Sequence, residues 1–506
     1  MSLRTDTSLP PTPPFRRLLV ANRGEIAIRV MRACRELGIS PVAVHSDVDA
    51  DALHVRAADH AELIGPAPAR DSYLNIGSVI DAARRSGAEA IHPGYGFLSE
   101  NAAFAAAVED AGLVFVGPPP SALEALGNKL AARRSASAAG VPIVPGTTVA
   151  LEDDLAGVVE LGFPVMLKAA AGGGGRGMRR VDRESDLAAA LAAAQREAMA
   201  AFGDGTVYVE RLVAPARHVE VQLLGDRHGS LAVLGERDCS VQRRHQKLVE
   251  ESPSPGISEE TRQALLESAR RVAGTVEFHN AATVEFLVDD RQHHYFLEMN
   301  TRLQVEHGVT ELVTGLDLVA WQIRVAAGEA LPAAVVQAPR RGHAIEVRLY
   351  AEDPYHDFGP TAGRITTWQM PAGPGVRVDA GMEENTDLRP EYDPLLVKLL
   401  VHADDRPAAV ARLRRALDET HIGGLQTDAG FLRWLVDDDA FVAGDYDTGF
   451  IADRWRNGPA LTDEERALVA AAATAARRSS PAAAPATTAT PGSTWGATAR
   501  REALRR

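Results

Sequence analysis

From Phe15 the chain alternates short apolar runs with amphipathic ones. RRLLVA reads as a buried strand, NRGEIAIRVMRACRELG as an amphipathic helix ending at Gly38, and ISPVAVHS as a second buried strand, which together predict a βαβ unit of a parallel sheet. Further on, AIHPGYGFLSEN (residues 90 to 101) crowds three turn-forming residues between a strand and a helix start. Such loops sit at sheet ends, where ligands gather, although a tight packing turn has the same composition. Residues 281 to 300 read AATVEFLV, DDRQ, HHYFLEMN, two strands joined by four turn-like residues. Closing the hairpin over those four pairs Val288 with His293 and sets Glu285 opposite Phe296. Glu285 then shares a face with Glu298 and Asn300, roughly 7–8 Å away on the diagonal.

The run LEMNTRLQVEHGVTE (297 to 311) carries Glu298, Asn300, Arg302, Gln304 and Glu306 at successive even positions, with Met299, Leu303 and Val305 at the odd ones apart from Thr301. In an extended chain alternate side chains share a face, so these groups would stand in a row, Glu306 at most about 27 Å beyond Glu298 and nearer if the chain bends. A half-buried strand with one wet face alternates in the same way. A solvent face ordinarily draws on Lys, Thr and Ser, however, and this one holds carboxylates, amides and an arginine. Two carboxylates and an amide oxygen converging from Glu285, Glu298 and Asn300 suit Mg²⁺ or Mn²⁺ and match zinc poorly, substrate phosphates completing the shell. Beyond them the fork of Arg302 can hold a small planar anion, Gln304 can donate or accept, and Glu306 is placed to take a proton. The run ERDCSVQRRHQK (236 to 247) would bring further cations to that anion, or form a solvated basic patch.

After GVPIVPG (140 to 146) a helical stretch and the strand PVMLKAA lead into AGGGGRGM. Gly172 to Gly175 let the backbone point its N–H groups at an anion, Arg176 adds charge, and Lys168 would approach the same phosphates. A flexible linker has the same glycine content, and the Gly-Lys-Ser/Thr ending of a P-loop is absent. Only Gly24 follows the first strand, so the dinucleotide fingerprint is missing.

Composition narrows the class. A chain of 506 residues with 45% hydrophobic content exceeds one ordinary domain and supplies about two to four. The two cysteines, Cys34 and Cys239, lie far apart, which argues against a disulfide framework or a cysteine-rich zinc site and fits a reducing cytoplasm. Residues 1 to 14 have no signal-peptide core, and no apolar run approaches the ~20 residues of a spanning helix. A net charge of -14 argues against nucleic acid as a partner.

In order along the chain, Lys129, Lys168 with GGGGRGM, ERDCSVQRRHQK, EMNTRLQVEH, GHAIEVRLYAEDP (342 to 354) and YDPLLVKL resemble the biotin carboxylase family of ATP-grasp enzymes, over roughly residues 15 to 456. The resemblance implies an α/β and α+β multidomain chain with an ATP-grasp fold. A disordered N-terminus would occupy 1–14, a Rossmann-like (pre-ATP-grasp) N-terminal domain 15–128, and the ATP-grasp domain 129–340, with a mobile lid at about 144–212. A biotin carboxylase C-terminal domain would follow over 341–456, then a helix, linker and basic tail over 457–506. The implied enzyme is a ligase forming a C–N bond: it carboxylates biotin with bicarbonate and ATP through carboxyphosphate, the ATP carrying Mg²⁺ or Mn²⁺, two ions in all. ATP is assigned to Lys129 and Lys168, to Gly174 and Gly175, to Glu210, Arg211, Leu212 and Val213, and to His218, Gln242 and His245. Glu285 and Glu298 serve nucleotide and metal together, with Asn300 as the third metal ligand. Bicarbonate falls to Lys247, Arg302, Gln304 and the Val305 backbone, Glu306 is the base, and Arg348 faces biotin; Lys247 and Arg302 are also assigned to catalysis.

The chain departs from the family pattern at Gly308, where proline is usual, a change that would loosen the turn without removing a functional group. It also lacks a Met-Lys dipeptide, the usual site of biotin attachment, so biotin belongs on a separate carrier protein. Nothing after residue 456 is long enough to be a carboxyltransferase. The resemblance therefore implies the biotin carboxylase subunit of an acetyl-, propionyl- or other acyl-CoA carboxylase, a cytoplasmic homodimer of fatty acid biosynthesis partnered by a biotin carboxyl carrier protein and a carboxyltransferase subunit. The alternatives are the equivalent subunit of a two-subunit pyruvate or other 2-oxoacid carboxylase and an inactive ATP-grasp scaffold. An ATP-grasp ligase forming carbamoyl phosphate or a peptide-like bond is disfavoured by the Arg348 segment and the Lys247 cluster. In the tail, Thr462 and Glu465 form a capping box and SSPAAAPATTATPGS has linker composition. TWGATARREALRR then sets Trp495 among arginines that would either dock on a partner subunit or stay disordered.

Overall fold

The strand Arg17–Val20 pairs in parallel with Ser40–Ser46, and the helix Gly24–Glu36 crosses between them, as the apolar pattern predicts. A computed structural model describes residues 13–127, 129–149, 155–169 and 178–456, with the single positions 458, 467 and 471. The glycine loop with Gly174, Gly175 and Arg176 lies outside the described residues, as do Thr462, Glu465, Trp495 and the first twelve residues.

The first sheet is parallel throughout, in the order His60–Gly65, Ser40–Ser46, Arg17–Val20, Ala90–His92, Val114–Phe115. Its order reverses at Arg17–Val20, so the loops after that strand and after Ala90–His92 leave the sheet side by side at a switch point. The Asn22 side chain joins them, donating to the carbonyls of Pro93 and Tyr95 at 2.7 Å each. Gly94 has φ +64, and a Cβ there would lie 2.9 Å from Asn22 Nδ2, so the approach of the two loops requires glycine.

The second sheet has eight antiparallel strands: His294–Asn300, Asn280–Asp289, Ala216–Gly225, Leu231–Arg243, Gln246–Ser252, His343–Tyr350, Leu395–Ala403 and Val376–Ala380. Alternation gives it two unlike faces. On one face Val219, Val221, Val284 and Phe286 pack with Leu265 and Val272 of the helix Glu259–Ala273, while Val347, Leu399 and Val401 pack with Leu413 of the helix Arg406–Asp418. The other face carries Glu220, Arg237, Glu250, Glu285, Glu346, Arg348 and Lys398, all buried. The helix His307–Thr314 covers part of it, Thr310 accepting from Arg237 at 2.8 Å.

A third layer, the four strands Gly146–Val149, Val207–Arg211, Val165–Ala169 and Arg179–Val181, has its own apolar core. That core comprises Val158, Val165, Leu167, Val181, Leu187, Leu191, Val207 and Val209, with Ala194. Among the described residues no helix is long and apolar enough to cross a membrane.

Glu251 shows how the fold treats a carboxylate on the apolar side of the second sheet. Next in sequence to Glu250 and on the opposite face, it accepts from Arg406 Nε at 2.7 Å, from Arg406 Nη2 at 3.0 Å and from the Tyr446 hydroxyl, and pairs with His343. Burial pushes its carboxyl up, but the His343 and Arg406 contacts outweigh that and hold it down at about 2. A carboxyl near 4.3 when unfolded and this low when folded contributes roughly 2–3 kcal/mol, complete above the unfolded value and lost as pH falls through the folded one. Glu251→Gln should therefore lose stability at pH 7 and show a shallower decline between about pH 4.5 and 2. Urea unfolding across that range checks this, and parallel acid limbs for the two proteins would contradict it.

Candidate active site

The hairpin that opens the site differs in register from the expectation. Its loop is Asp290–Gln292, with Gln292 at φ 68 and Asp289 N donating to His293 O, the geometry of a turn followed by a left-handed residue. Val288 thus pairs with His294, not His293, and Phe286 with Phe296. A bulge at Leu297 then shifts the pairing once more, so Glu285 stands directly opposite Glu298 and not diagonal to it. The two offsets restore the common face of Glu285 and Glu298 by a route the sequence did not reveal.

The polar row does not stay extended. The strand ends at Asn300, residues 304 to 307 form a turn with His307 N donating to Gln304 O at 3.3 Å, and Glu306 caps the helix His307–Thr314. Leu303 and Met299 enter the apolar core and so pull the intervening polar groups back onto the sheet. Glu306, instead of reaching far from Glu298, returns to within one lysine of Glu285.

That lysine is Lys247. Its ammonium donates to Glu220 Oε2 at 2.6 Å, Glu306 Oε1 at 2.8 Å and Glu285 Oε1 at 3.0 Å, using all three of its donors. Burial alone would favour the neutral amine, but Cys239 and the three carboxylates hold Lys247 well above the usual lysine range. Glu306 Oε2 accepts from Arg348 Nη2 at 2.8 Å. Burial raises the Glu306 carboxyl, yet Lys247, Arg348 and Arg237 together hold it well below the carboxylate range. Arg348 also lies 2.5 Å from Glu250 Oε1, an ion pair without hydrogen-bond geometry. Glu250 is pushed up to about 7, by burial first and with Glu306 alongside, despite Arg348.

Glu285 Oε1 accepts in addition from Asn300 at 2.8 Å and Gln304 at 3.2 Å, and Glu285 Oε2 pairs with His218 at 2.7 Å. Burial notwithstanding, Lys247 and His218 keep Glu285 far below its ordinary value. Arg302 donates to Gln304 Oε1 at 2.8 Å, to Asn300 Oδ1 at 3.2 Å and to Glu100 at 2.9 Å. Glu298 pairs with Lys129 at 2.8 Å. Glu285, Glu298 and Asn300 thus offer hard oxygen donors, and lysines occupy the carboxylate oxygens; this donor set fits Mg²⁺ or Mn²⁺.

The other residues assigned to the nucleotide divide between the four-stranded layer and the second sheet. Lys168 pairs with Glu210, which Arg133 also holds at 2.5 Å. Arg211 ends the strand Val207–Arg211 and leads into Leu212 and Val213, the amides of Arg211 and Leu212 bonded to Pro145 O and Pro164 O at 3.0 Å. Gln242 is buried across from Lys247, and His245, at φ 70, is driven down by burial, Lys168, His218 and Lys129. The basic run 236 to 247 does not converge as a whole. Arg243 and Arg244 turn to Asp357, and of the cations in the run it is Lys247, with Arg237 behind it, that pairs with Glu306. Gly308 is not a loosened turn either: a Cβ there would lie 2.5 Å from Leu400 Cδ2, so Leu400 fills the space.

Four site residues were not foreseen: Glu100, Glu220, Glu250 and Arg133. Glu100 lies in the AIHPGYGFLSEN loop, which therefore serves the site. Glu220 could have been found from ARHVEVQLL, whose polar His218, Glu220 and Gln222 alternate with valine and leucine.

Residues 128–334 match the ATP-binding domain of the carbamoyl-phosphate synthase L chain, residues 14–123 the N-terminal domain of biotin carboxylase and residues 346–453 its C-terminal domain. Fold and site define an ATP-grasp enzyme. The chain is 48% identical over 440 residues to a biotin carboxylase of Halalkalibacterium halodurans, covering 86% of this chain and 97% of that one. It is 50% identical over 446 residues to the mitochondrial methylcrotonoyl-CoA carboxylase subunit alpha of Oryza sativa, covering 87% of this chain and 60% of that subunit. A solved structure of the biotin carboxylase domain dimer of Hydrogenobacter thermophilus 2-oxoglutarate carboxylase, with MgADP, ADP and bicarbonate, matches with a TM-score of 0.84. The match has 42% identity and covers 88% of this chain and 99% of that one. The chain belongs to the biotin carboxylase family.

Removing Lys247 would leave Glu220, Glu285 and Glu306 without their common counter-charge. Burial raises all three carboxyls, so losing that charge moves their pKa values upward, the folded state binds extra protons and the loss shrinks as pH falls. Free of metal and nucleotide, Lys247→Met should cost about 3–5 kcal/mol at pH 8 and less at pH 5.5. Urea unfolding at the two pH values measures it; an equal deficit at both would show that the carboxylates do not depend on Lys247.

Proposed function

We propose that this chain carboxylates biotin presented by a separate carrier protein, using ATP and bicarbonate through carboxyphosphate, as the biotin carboxylase subunit of an acyl-CoA carboxylase. The observation that carries the reading is the single ammonium of Lys247 bonded to both Glu285 and Glu306, one cation shared by a proposed metal ligand and the proposed base. Lys129, Lys168, His218, Gln242, His245 and the segment Glu210–Val213 bind the nucleotide. Glu285, Glu298 and Asn300 would hold a divalent ion, which would supply charge neutralisation at the phosphate oxygens.

Bicarbonate takes Lys247, Arg302, Gln304 and the Val305 backbone as its partners. Glu306, held far down by Lys247 and Arg348, then loses part of that positive charge and rises toward the range of a useful base. It accepts the bicarbonate proton as the anion's oxygen bonds to the γ-phosphorus and the bond to ADP breaks; the carboxyphosphate then splits into CO₂ and a phosphate that takes the biotin N–H proton. Protonation cancels the charge of Glu306 and so frees Arg348 to meet the negative charge that develops on the biotin ureido oxygen.

The carboxyl acceptor rests on less. Relatives include an acyl-CoA carboxylase subunit and a 2-oxoacid carboxylase domain, so a pyruvate or other 2-oxoacid carboxylase is the second reading. We place the enzyme in the cytoplasm as a homodimer with carrier and carboxyltransferase partners. Its basic tail is a candidate contact for one of them.

The test is ADP release with ATP and Mg²⁺ while bicarbonate and free biotin are each omitted in turn. Turnover that ignores both omissions overturns the assignment. Glu306→Gln should keep ATP affinity within about twofold and lose about 10²–10⁴-fold in carboxylation, because it retains the shape and removes the base. Loss of ATP affinity in proportion to activity would instead make Glu306 a binding residue.

A further inference from the structure

Lys398 has no place in the roles above. It lies on the strand Leu395–Ala403, fully buried, opposite Arg348 on one neighbouring strand and Asp379 on the other. Its ammonium donates to the Val305 carbonyl oxygen at 2.8 Å and lies 3.3 Å from Glu25 Oε1 and 4.0 Å from Asp379 Oδ2. A buried ammonium costs several kcal/mol unless it is paired. Burial favours the neutral amine here, but Glu25, Glu346 and Asp379 outweigh it and keep Lys398 charged. Three parts of the chain meet at this atom: the first helix through Glu25, the 304–307 turn through Val305, and the last strand of the second sheet through Asp379. The first and last are in backbone contact as well, since a Cβ on Gly381 would lie 2.6 Å from Glu25 N.

The bond to Val305 acts on the turn that presents Glu306. Glu306 has φ -80 and ψ 13, the third-position geometry of a type I turn, so Val305–Glu306 is the central peptide and its carbonyl points out of the turn. Because the peptide is planar, fixing that oxygen fixes the plane, and with it the direction in which the Glu306 side chain leaves the backbone. Among the other restraints on Glu306, Lys247 and Arg348 are the groups that change partners in the proposed reaction, and the Cys239 thiol donates to it at 3.9 Å. In this turn Lys398 touches only the backbone and need not let go. Its neighbour Glu25 accepts from the Tyr95 hydroxyl, and the Tyr95 ring centroid lies 6.0 Å from the ammonium, with Arg348 also within electrostatic reach of the phenol.

We propose that Lys398 is a positioning residue for biotin carboxylation, holding the Val305–Glu306 peptide and, through Glu25, the Tyr95 phenol in place while Lys247 and Arg348 exchange partners. The proposal rests on the reading of Glu306 as the base. Lys398→Met should lower kcat for free-biotin carboxylation about 100-fold, the cost of roughly 1 Å of misplacement, with KM for ATP and affinity for MgADP within about twofold of wild type. Lys398→Arg, which keeps the charge and a donor, should recover at least tenfold of that loss. A folded Lys398→Met enzyme with more than half the wild-type kcat, or a Lys398→Arg enzyme as slow as Lys398→Met, overturns the proposal. If Lys398→Met does not fold, Glu25→Gln decides: a kcat reduced about tenfold at unchanged KM for ATP supports the clamp, and wild-type turnover overturns it. Glu306→Gln measured in parallel separates the two claims. Activity retained there overturns both, whereas activity lost there and retained in Lys398→Met overturns only the role of Lys398.

Discussion

A charge buried in this protein must find its partner across strands, because little water reaches the polar face of the eight-stranded sheet. Glu298 stands opposite Glu285, Glu285 opposite Glu220, and Glu220 opposite Arg237; beyond Lys247, Glu250 stands opposite Glu346, and Arg348 and Asp379 each opposite Lys398. Carboxylates meet carboxylates in three of those pairs. Such neighbours are tolerable only where a cation reaches both or one of them keeps a proton. Lys247 serves Glu220 and Glu285, while burial drives the Glu346 carboxyl, with neither oxygen hydrogen-bonded, far up. The row is therefore a constraint on register. A slip of one residue would turn Glu220 and Glu285 into the apolar layer beneath the helix Glu259–Ala273 and bring Val219 and Val284 onto the ionic face.

This constraint explains which parts of the site could be read from the sequence. The βαβ unit and the faces of the hairpin rest on local alternation, and both were legible. So was the grouping of Asn300, Arg302 and Gln304 with Glu285, because the polar set from Glu298 to Glu306 lies in one short run. The hairpin register was not, since it turns on Gln292 adopting a left-handed conformation and on a bulge at Leu297, neither of which alternation records. Nor was the path beyond Asn300. There the decisive facts are that Leu303 enters a core built with residues of the first sheet and that Arg302 pairs with Glu100, a contact 202 residues away. Arg237 and Lys398 fall in the same class, each an ordinary cation in its own segment and defined by partners from elsewhere.

The four-stranded layer obeys a different rule. Its apolar core is separate from the others, and polar contacts join it to its surroundings. Arg133 makes one set of them, donating to the Val144 carbonyl at 2.6 Å and to Glu210 on the strand Val207–Arg211, with its guanidinium 4.6 Å from the Tyr208 ring centroid. Glu210 is thereby neutralised twice, by Arg133 and by Lys168. Lys168 could leave Glu210 without stranding a buried carboxylate, because Arg133 remains. Two cations on one carboxylate are thus a way of keeping one of them available.

The same logic applies at Glu306. Replacing buried ion pairs by well-packed apolar groups often leaves a protein as stable or more so, and a face holding Glu220, Arg237, Lys247, Glu250, Glu306, Glu346, Arg348 and Lys398 is an expensive way to build a sheet. Its arrangement is also redundant in a particular sense. Glu306 has two cationic partners, Lys247 has three carboxylates and Arg348 has two. Each group that must change partner can do so while its former neighbour keeps another contact. Stability alone does not call for such redundancy, whereas a site through which anions and protons pass does.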